Sequence, residues 1–231
     1  MYFPWPGLFE QIKLADVFVH YDDVQLPQGR SFMNRVQLKT PSGQLWMTVP
    51  IKKKHRGLQI INRAEIDDSF DWRAEHKEQF RSNYASAPYF QDAFSLLSRV
   101  LDRDYKSLAD LTIESVEVCA EYLGLRPQFV HSSQLNILGA SSARLLNLVK
   151  HLGGDIYITG HGAKNYLDHD MFESDGVRVE YIDYQKTAYP QRWGDFIPYV
   201  SILDLIANTG KSAAQYLDSP SIPWKDFISS R

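Results

Sequence analysis

Two carboxylates stand side by side in "YDDVQ", Tyr21 to Gln25, directly after the strand-like run "VFVHY" at 17 to 21. Acids delivered at the end of a strand can take a proton from an amine or hydroxyl, which makes Asp22 and Asp23 candidates for catalysis. The competing reading is that they cap a loop or pair with Arg35. A second constellation is "YITGHGAKNYLDHD", Tyr157 to Asp170. Gly160 and Gly162 let a ligand approach backbone amides closely, Lys164 can neutralise a phosphate or an oxyanion, and His161 is a candidate base. The loop matches neither a Walker motif nor GxGxxG, so a plain turn stays open beside the phosphate cradle. A metal reading would recruit His161, Asp168, His169 and Asp170. Three of these are consecutive, so regular structure cannot point them at one centre, and the spacing is not HExxH. There is no GxSxG for a serine nucleophile, and "HSS" at 131 to 133 reads as the polar end of a strand.

The elements that must position these groups fall into three stretches. Residues 1–68 are rich in strand and hairpin signals: "VFVHY", "NRVQLKT" at 34 to 40 and "QLWMTVPI" at 44 to 51, the last two joined through the turn "PSG". "KKKHRG" at 52 to 57 is a charged loop, solvated or facing phosphate. Residues 69–124 are helical. Ser69 is the expected N-cap of a helix whose Trp72, His76, Phe80 and Tyr84 share one packing face, with His76 the member nearest to ligand chemistry. Further helices are expected over 89 to 100 and 107 to 123, the second burying an inert Cys119. Residues 125–231 alternate strand and helix: "PQFVHSS", then "SSARLLNLVKHLG" capped by Ser141 or Ser142, "DIYITG", "VRVEYIDY" and a last helix closed by Gly210. Ligands of open α/β sheets gather beyond the carboxyl ends of the strands, which is where the Gly160 loop falls. The expected fold is one α/β domain over 1–231, a mixed or mostly parallel sheet with flanking helices, an N-terminal hairpin region and a helical middle segment.

The chain has 231 residues, 44% of them apolar, enough for a buried core. A formal charge of −3 provides no basic field for nonspecific nucleic-acid binding, and one cysteine excludes an intrachain disulfide. With no apolar run of membrane-spanning length and no signal-peptide pattern at its start, a reducing, cytoplasmic setting is the expectation. The 13 tyrosines and 12 phenylalanines, many beside Pro and Gly, are candidates for cleft walls or for anchors of long loops.

Several blocks together resemble the WbqC-like protein family, bacterial proteins associated with O-antigen and other surface polysaccharides. They are "FPWPGLFEQI" (3 to 12), "DVFVHYDDVQ" (16 to 25), "NRVQLKTPSGQLWMTVPI" (34 to 51), "APYF" (87 to 90), "SSQL" (132 to 135), "LLNLVKHLGGDIYITGHGAKNYLD" (145 to 168) and "YPQRWGDFIPYVSILDLIANTG" (189 to 210). Pro4, Trp5, Gly7, Asp22, Asp23, Asn34, Arg35, Gly160, Gly162, Tyr166, Tyr189, Pro190 and Gln191 match family positions. Family members begin with a strand leading into a QPxYxPWxGYF pattern. Here "MYFPWPGLF" lacks the Gln-Pro and most of that strand, which predicts an earlier start upstream or a strand lost from the sheet. The resemblance implies transfer of glycine or a related acyl group onto the amine of a nucleotide-linked sugar. His161, Asp22 and Asp23 would then be catalytic, and Pro4, Trp5, Gly7, Asn34, Arg35, Gly160, Gly162, Lys164, Tyr166, Tyr189 and Gln191 would bind substrate. It implies no resident cofactor, only an activated acyl donor as co-substrate: a thioester, an adenylate or an aminoacyl-tRNA, the last being the one nucleic-acid partner in view. The alternatives are a noncatalytic nucleotide-sugar-binding or scaffold protein, and a metal-dependent hydrolase.

Overall fold

A computed structural model describes residues 1–27, 31–52 and 57–230. The 53–56 part of the charged loop lies outside the described residues. The chain opens on helix α1 (Pro6–Leu14), with proline in the first helical position where its missing N–H costs nothing, and passes into β1 (Val17–His20). The hairpin β2 (Arg35–Thr40) and β3 (Gly43–Thr48) follows. Gly43, at φ 115°, supplies the positive angle that its tight turn needs.

The helical middle consists of α2 (Trp72–Tyr84), α3 (Phe90–Leu101) and α4 (Leu108–Tyr122). The shared face of Trp72, His76, Phe80 and Tyr84 is buried, as the spacing requires. Its cap differs from expectation. Asp71, not Ser69, accepts the Ala74 N–H at 3.0 Å, because Asp71 immediately precedes the first helical residue. Ser107 and Asp110 form a reciprocal capping box on α4. Cys119 is fully buried, and burial pushes its thiol well up from the ordinary range.

The last third alternates β4 (Gln128–His131), the short α5 (Ser132–Leu135), α6 (Ser141–His151), β5 (Ile156–Thr159), α7 (His169–Ser174) and β6 (Arg178–Ile182). It closes with α8 (Ile202–Thr209), β7 (Ser221–Pro223) and α9 (Trp224–Ser229). Neither Ser141 nor Ser142 caps α6. Ala140 occupies the cap position, and the Ser142 hydroxyl instead lies 3.3 Å from the Tyr166 carbonyl and 2.9 Å from the Asp168 N–H.

The described residues form three small sheets. β1 pairs with β4 in parallel, β2 with β3 in antiparallel, and β6 lies between parallel β5 and antiparallel β7. The fold is α/β with flanking helices. Two apolar cores hold the described residues together. The larger joins α1, the hairpin, α2, α3, α4 and α8; the smaller gathers Leu146, Phe172, Val179, Tyr181 and Phe227 around β6.

Candidate functional site

The carboxyl ends of parallel β1 and β4 bring "YDDVQ" against "HSSQL". The Asp22 carboxylate accepts the Ser133 N–H at 3.0 Å and the Ser133 hydroxyl at 2.7 Å, so it closes the amino end of α5 from across the sheet. Ser132 Oγ lies 3.1 Å from Asp22 Oδ1 and 2.6 Å from Asp23 Oδ1, and its single proton serves one of them at a time. Asp23 then meets Arg144 from the first turn of α6 at 2.5 Å. Burial by itself would raise the Asp23 carboxyl. The hydrogen bonds from Arg144 and Ser132, with the Arg144 charge, hold it below the usual carboxylate range. The expected pairing with Arg35 is replaced by one with Arg144, which also stands 5.0 Å over the Tyr21 ring and donates Nε–H to the Ile137 carbonyl at 3.1 Å.

The second half of the site is built where α1 crosses the ends of β5 and β6. A Cβ on Gly160 would lie 3.2 Å from both Gln11 Nε2 and the Tyr184 hydroxyl, so glycine keeps this approach open. Trp5 packs its ring 4.7 Å from Tyr184 and 5.2 Å from Tyr199, directly over Gly7. His161 sits beside Tyr184 and Phe227, each at 4.8 Å between ring centroids. Its Nε2 lies 2.7 Å from the Ile182 carbonyl, which can only accept, so Nε2 carries a proton. Lys164 extends over the Phe227 ring at 5.9 Å, while Tyr166 is 57% exposed and overlooks a cavity between β1 and β5.

The model of the WbqC-like protein family matches residues 1–216. The chain belongs to that family. A Mycobacterium tuberculosis (strain ATCC 25618 / H37Rv) protein described as "Uncharacterized protein Rv1507c" is 34% identical over 218 residues, which span 94% of each chain. No solved structure matches.

In this WbqC-like chain the remaining candidates lie elsewhere. Pro4 is buried, and its carbonyl accepts the Ile202 N–H at 2.8 Å, pinning the amino-terminal segment to α8. Asn34 donates to the Val49 carbonyl at 2.8 Å and so braces the open end of the hairpin. Arg35 lies on β2, 4.2 Å over the Trp46 ring. Tyr189 and Gln191 belong to a buried polar network: Asp204 accepts from Tyr84 at 2.6 Å, from Tyr189 at 2.7 Å and from Gln191 at 2.9 Å. The buried Lys39 donates to Gln191 Oε1 at 2.9 Å. The acid-rich tail of the Gly160 loop disperses as its spacing requires: Asp168 caps α7 through the Met171 N–H, and His169 pairs with the Tyr181 hydroxyl at 2.8 Å. Among the described residues no three His, Cys, Asp or Glu side chains converge as a metal site would need. No described helix is long and apolar enough to cross a membrane.

Sequence reasoning missed Arg144, Gln11 and Tyr184, and read Ser132 and Ser133 only as a strand end. Arg144 carried one available signal, a cation inside the otherwise apolar-faced run "SSARLLNLV".

Proposed function

We propose that this protein is a cytoplasmic transferase that adds glycine or a related acyl group to the amine of a nucleotide-linked amino sugar for surface-polysaccharide synthesis. The observation that carries the reading is that two constellations flank one cavity: Asp22, Asp23 and Arg144 stand at the ends of β1 and β4 next to Tyr21, and the Gly160 loop stands at the end of β5, where Thr159 and Tyr166 line the same cavity. Carboxylates beyond parallel strands suit sugar hydroxyls and an amine, and an open glycine beside Gln11 and Tyr184 suits close approach of a ligand to backbone.

In this reading the attacking amine is neutral, His161 is the base that takes up its proton, and an activated donor carries the leaving group. The N–C bond forms as the donor's acyl bond breaks, and no covalent enzyme intermediate is required. Lys164 is the cation for phosphate or the developing oxyanion on this loop. A nucleotide-sugar thermal-shift screen, followed by product detection with thioester, adenylate and aminoacyl-tRNA donors, tests it. Stabilisation by an amino-sugar nucleotide with product from one donor supports transfer. Indifference to all such nucleotides sinks the reading.

A second reading, a noncatalytic nucleotide-sugar-binding protein, draws on the carboxylates themselves. Both oxygens of Asp22 and both of Asp23 already accept from Ser132, Ser133 or Arg144. It requires stabilisation without product from any donor.

A further inference from the structure

Two side-chain hydrogen-bond donors converge on Gly160, and among the described residues neither has a hydrogen-bond partner. β5 and β6 run parallel with Thr159 beside Tyr181, so both strands leave the sheet at the same level. Gly160 follows β5 directly, and Tyr184 stands two residues beyond Ile182, the end of β6. Helix α1 crosses there and brings Gln11. Gln11 Nε2 and the Tyr184 hydroxyl each lie 3.2 Å from the point that a Gly160 Cβ would occupy, hence no farther from each other than twice that distance. A single ligand oxygen in the opening beside Gly160 can reach both.

Both groups are held in place. The Tyr184 ring packs between Trp5 at 4.7 Å and His161 at 4.8 Å, which aims its hydroxyl from two sides. Burial, with the Glu10 charge, pushes the Tyr184 phenol well up from its ordinary range, so it keeps its proton at every working pH. Gln11 is half-buried on α1, and its carboxamide donates without titrating. Shielded donors of this kind ordinarily bond to protein, and here their bonds are left for something else. Glu10, the next residue on α1, is engaged elsewhere: burial raises its carboxyl, while Ser219 and the Asp218 backbone donate to it. Two neutral, preset donors beside a glycine suit an oxygen on which negative charge develops during reaction. A standing diphosphate calls for a cation, which Lys164 supplies from the same loop.

We infer, on the transfer reading above, that Gln11 and Tyr184 form an oxyanion pocket that holds the carbonyl oxygen of the acyl donor as the sugar amine adds to its carbon. As the N–C bond forms, the carbonyl π pair moves onto oxygen, where the Gln11 N–H and the Tyr184 O–H meet it. The pair then returns, and the bond to the thiolate, phosphate or ribose oxygen of the acyl donor breaks. The leaving group takes the bonding electrons, and the amine proton passes to His161, which follows Gly160 and packs on Tyr184. Glycine is required at 160 because a side chain would fill the space that the oxygen enters.

Aminomethylphosphonate, whose tetrahedral anion copies the intermediate of glycyl transfer, probes the pocket without any acyl donor. In NMR of the full chain the Gln11 side-chain N–H signals should shift as it is added. Tyr184→Phe and Gln11→Met should each weaken its binding about tenfold or more. Gly160→Ala, which keeps both groups and sets a methyl between them, should do the same. With an acyl donor that gives product, Tyr184→Phe and Gln11→Met should each lower kcat about a hundredfold or more, at unchanged KM for the nucleotide sugar, Tm and tryptophan emission. No binding of the probe, binding indifferent to all three substitutions, or full turnover in Tyr184→Phe and Gln11→Met would overturn the pocket and leave transfer standing. No product from any acyl donor, with probe binding still dependent on both residues, would instead remove the transfer reading and keep Gln11 and Tyr184 as an oxyanion site.

Discussion

The Asp23 carboxylate is held by the Arg144 guanidinium at 2.5 Å, a contact that links the end of β1 to the first turn of α6. Both side chains are largely shielded, at 25% and 11% exposure, so each offsets part of the cost of drawing the other's charge out of water. Arg144→Met should cost about 1–3 kcal/mol of stability, read in urea unfolding. The Asp23 carboxyl should then titrate higher by NMR, having lost its cation. The sign follows from linkage: a carboxyl held low in the folded state contributes stability above its unfolded value and loses it as pH falls. The acid-side loss should therefore be smaller in Arg144→Met than in the wild type.

Gly7 sits under Trp5, and a Cβ there would fall 2.2 to 2.5 Å from the indole six-membered ring. Gly7→Ala must therefore push the indole off Tyr184 and Tyr199. Tryptophan emission should shift to the red, with about 1–2 kcal/mol lost. Because the damage is routed through the ring, Gly7→Ala should cost little more once Trp5 is alanine. Additive losses in the double variant would show that the glycine acts otherwise.

How far the sequence carried the reading depended on the range of the interaction. The 72, 76, 80, 84 face, the strands around the Gly160 loop and the hairpin are local patterns, and the chain writes them with periods of 3.6 and 2. Asp22 and Asp23 were legible as strand-end carboxylates, yet their partner was not. Arg35 and Arg144 are both cations remote in sequence, and only the parallel register of β1 with β4 decides that Ser132, Ser133 and Arg144 come near. Tyr189 and Gln191 show the opposite limit. Matching a family block marks a residue as part of the pattern without telling a ligand contact from a buried hydrogen bond.

That distinction yields a prediction. Tyr189→Phe removes one of the donors to the buried Asp204 and leaves the carboxylate short of a partner. It should cost about 1–3 kcal/mol. A nucleotide sugar that stabilises the wild type should give the same increment in Tm to the variant, because the lost contact lies in the α8 network. A selective loss of the ligand-induced shift would put Tyr189 in the binding site instead.

His76 gives the protein an acid sensitivity with a defined window. The ring is buried on α2, accepts the Tyr2 hydroxyl at Nδ1 over 2.9 Å and is bonded on its other side to the Thr48 backbone. Burial lowers it from 6.5 to about 4. The unfolded chain therefore takes up the proton first as pH falls, so stability is full above 6.5, declines toward 4 and levels off below. The span corresponds to roughly 3 kcal/mol. Urea midpoints across this range should fall more steeply for the wild type than for His76→Gln, whose side chain stays neutral throughout. If the two slopes coincide, the ring does not remain neutral inside the fold and the packing of Tyr2 against α2 needs another explanation.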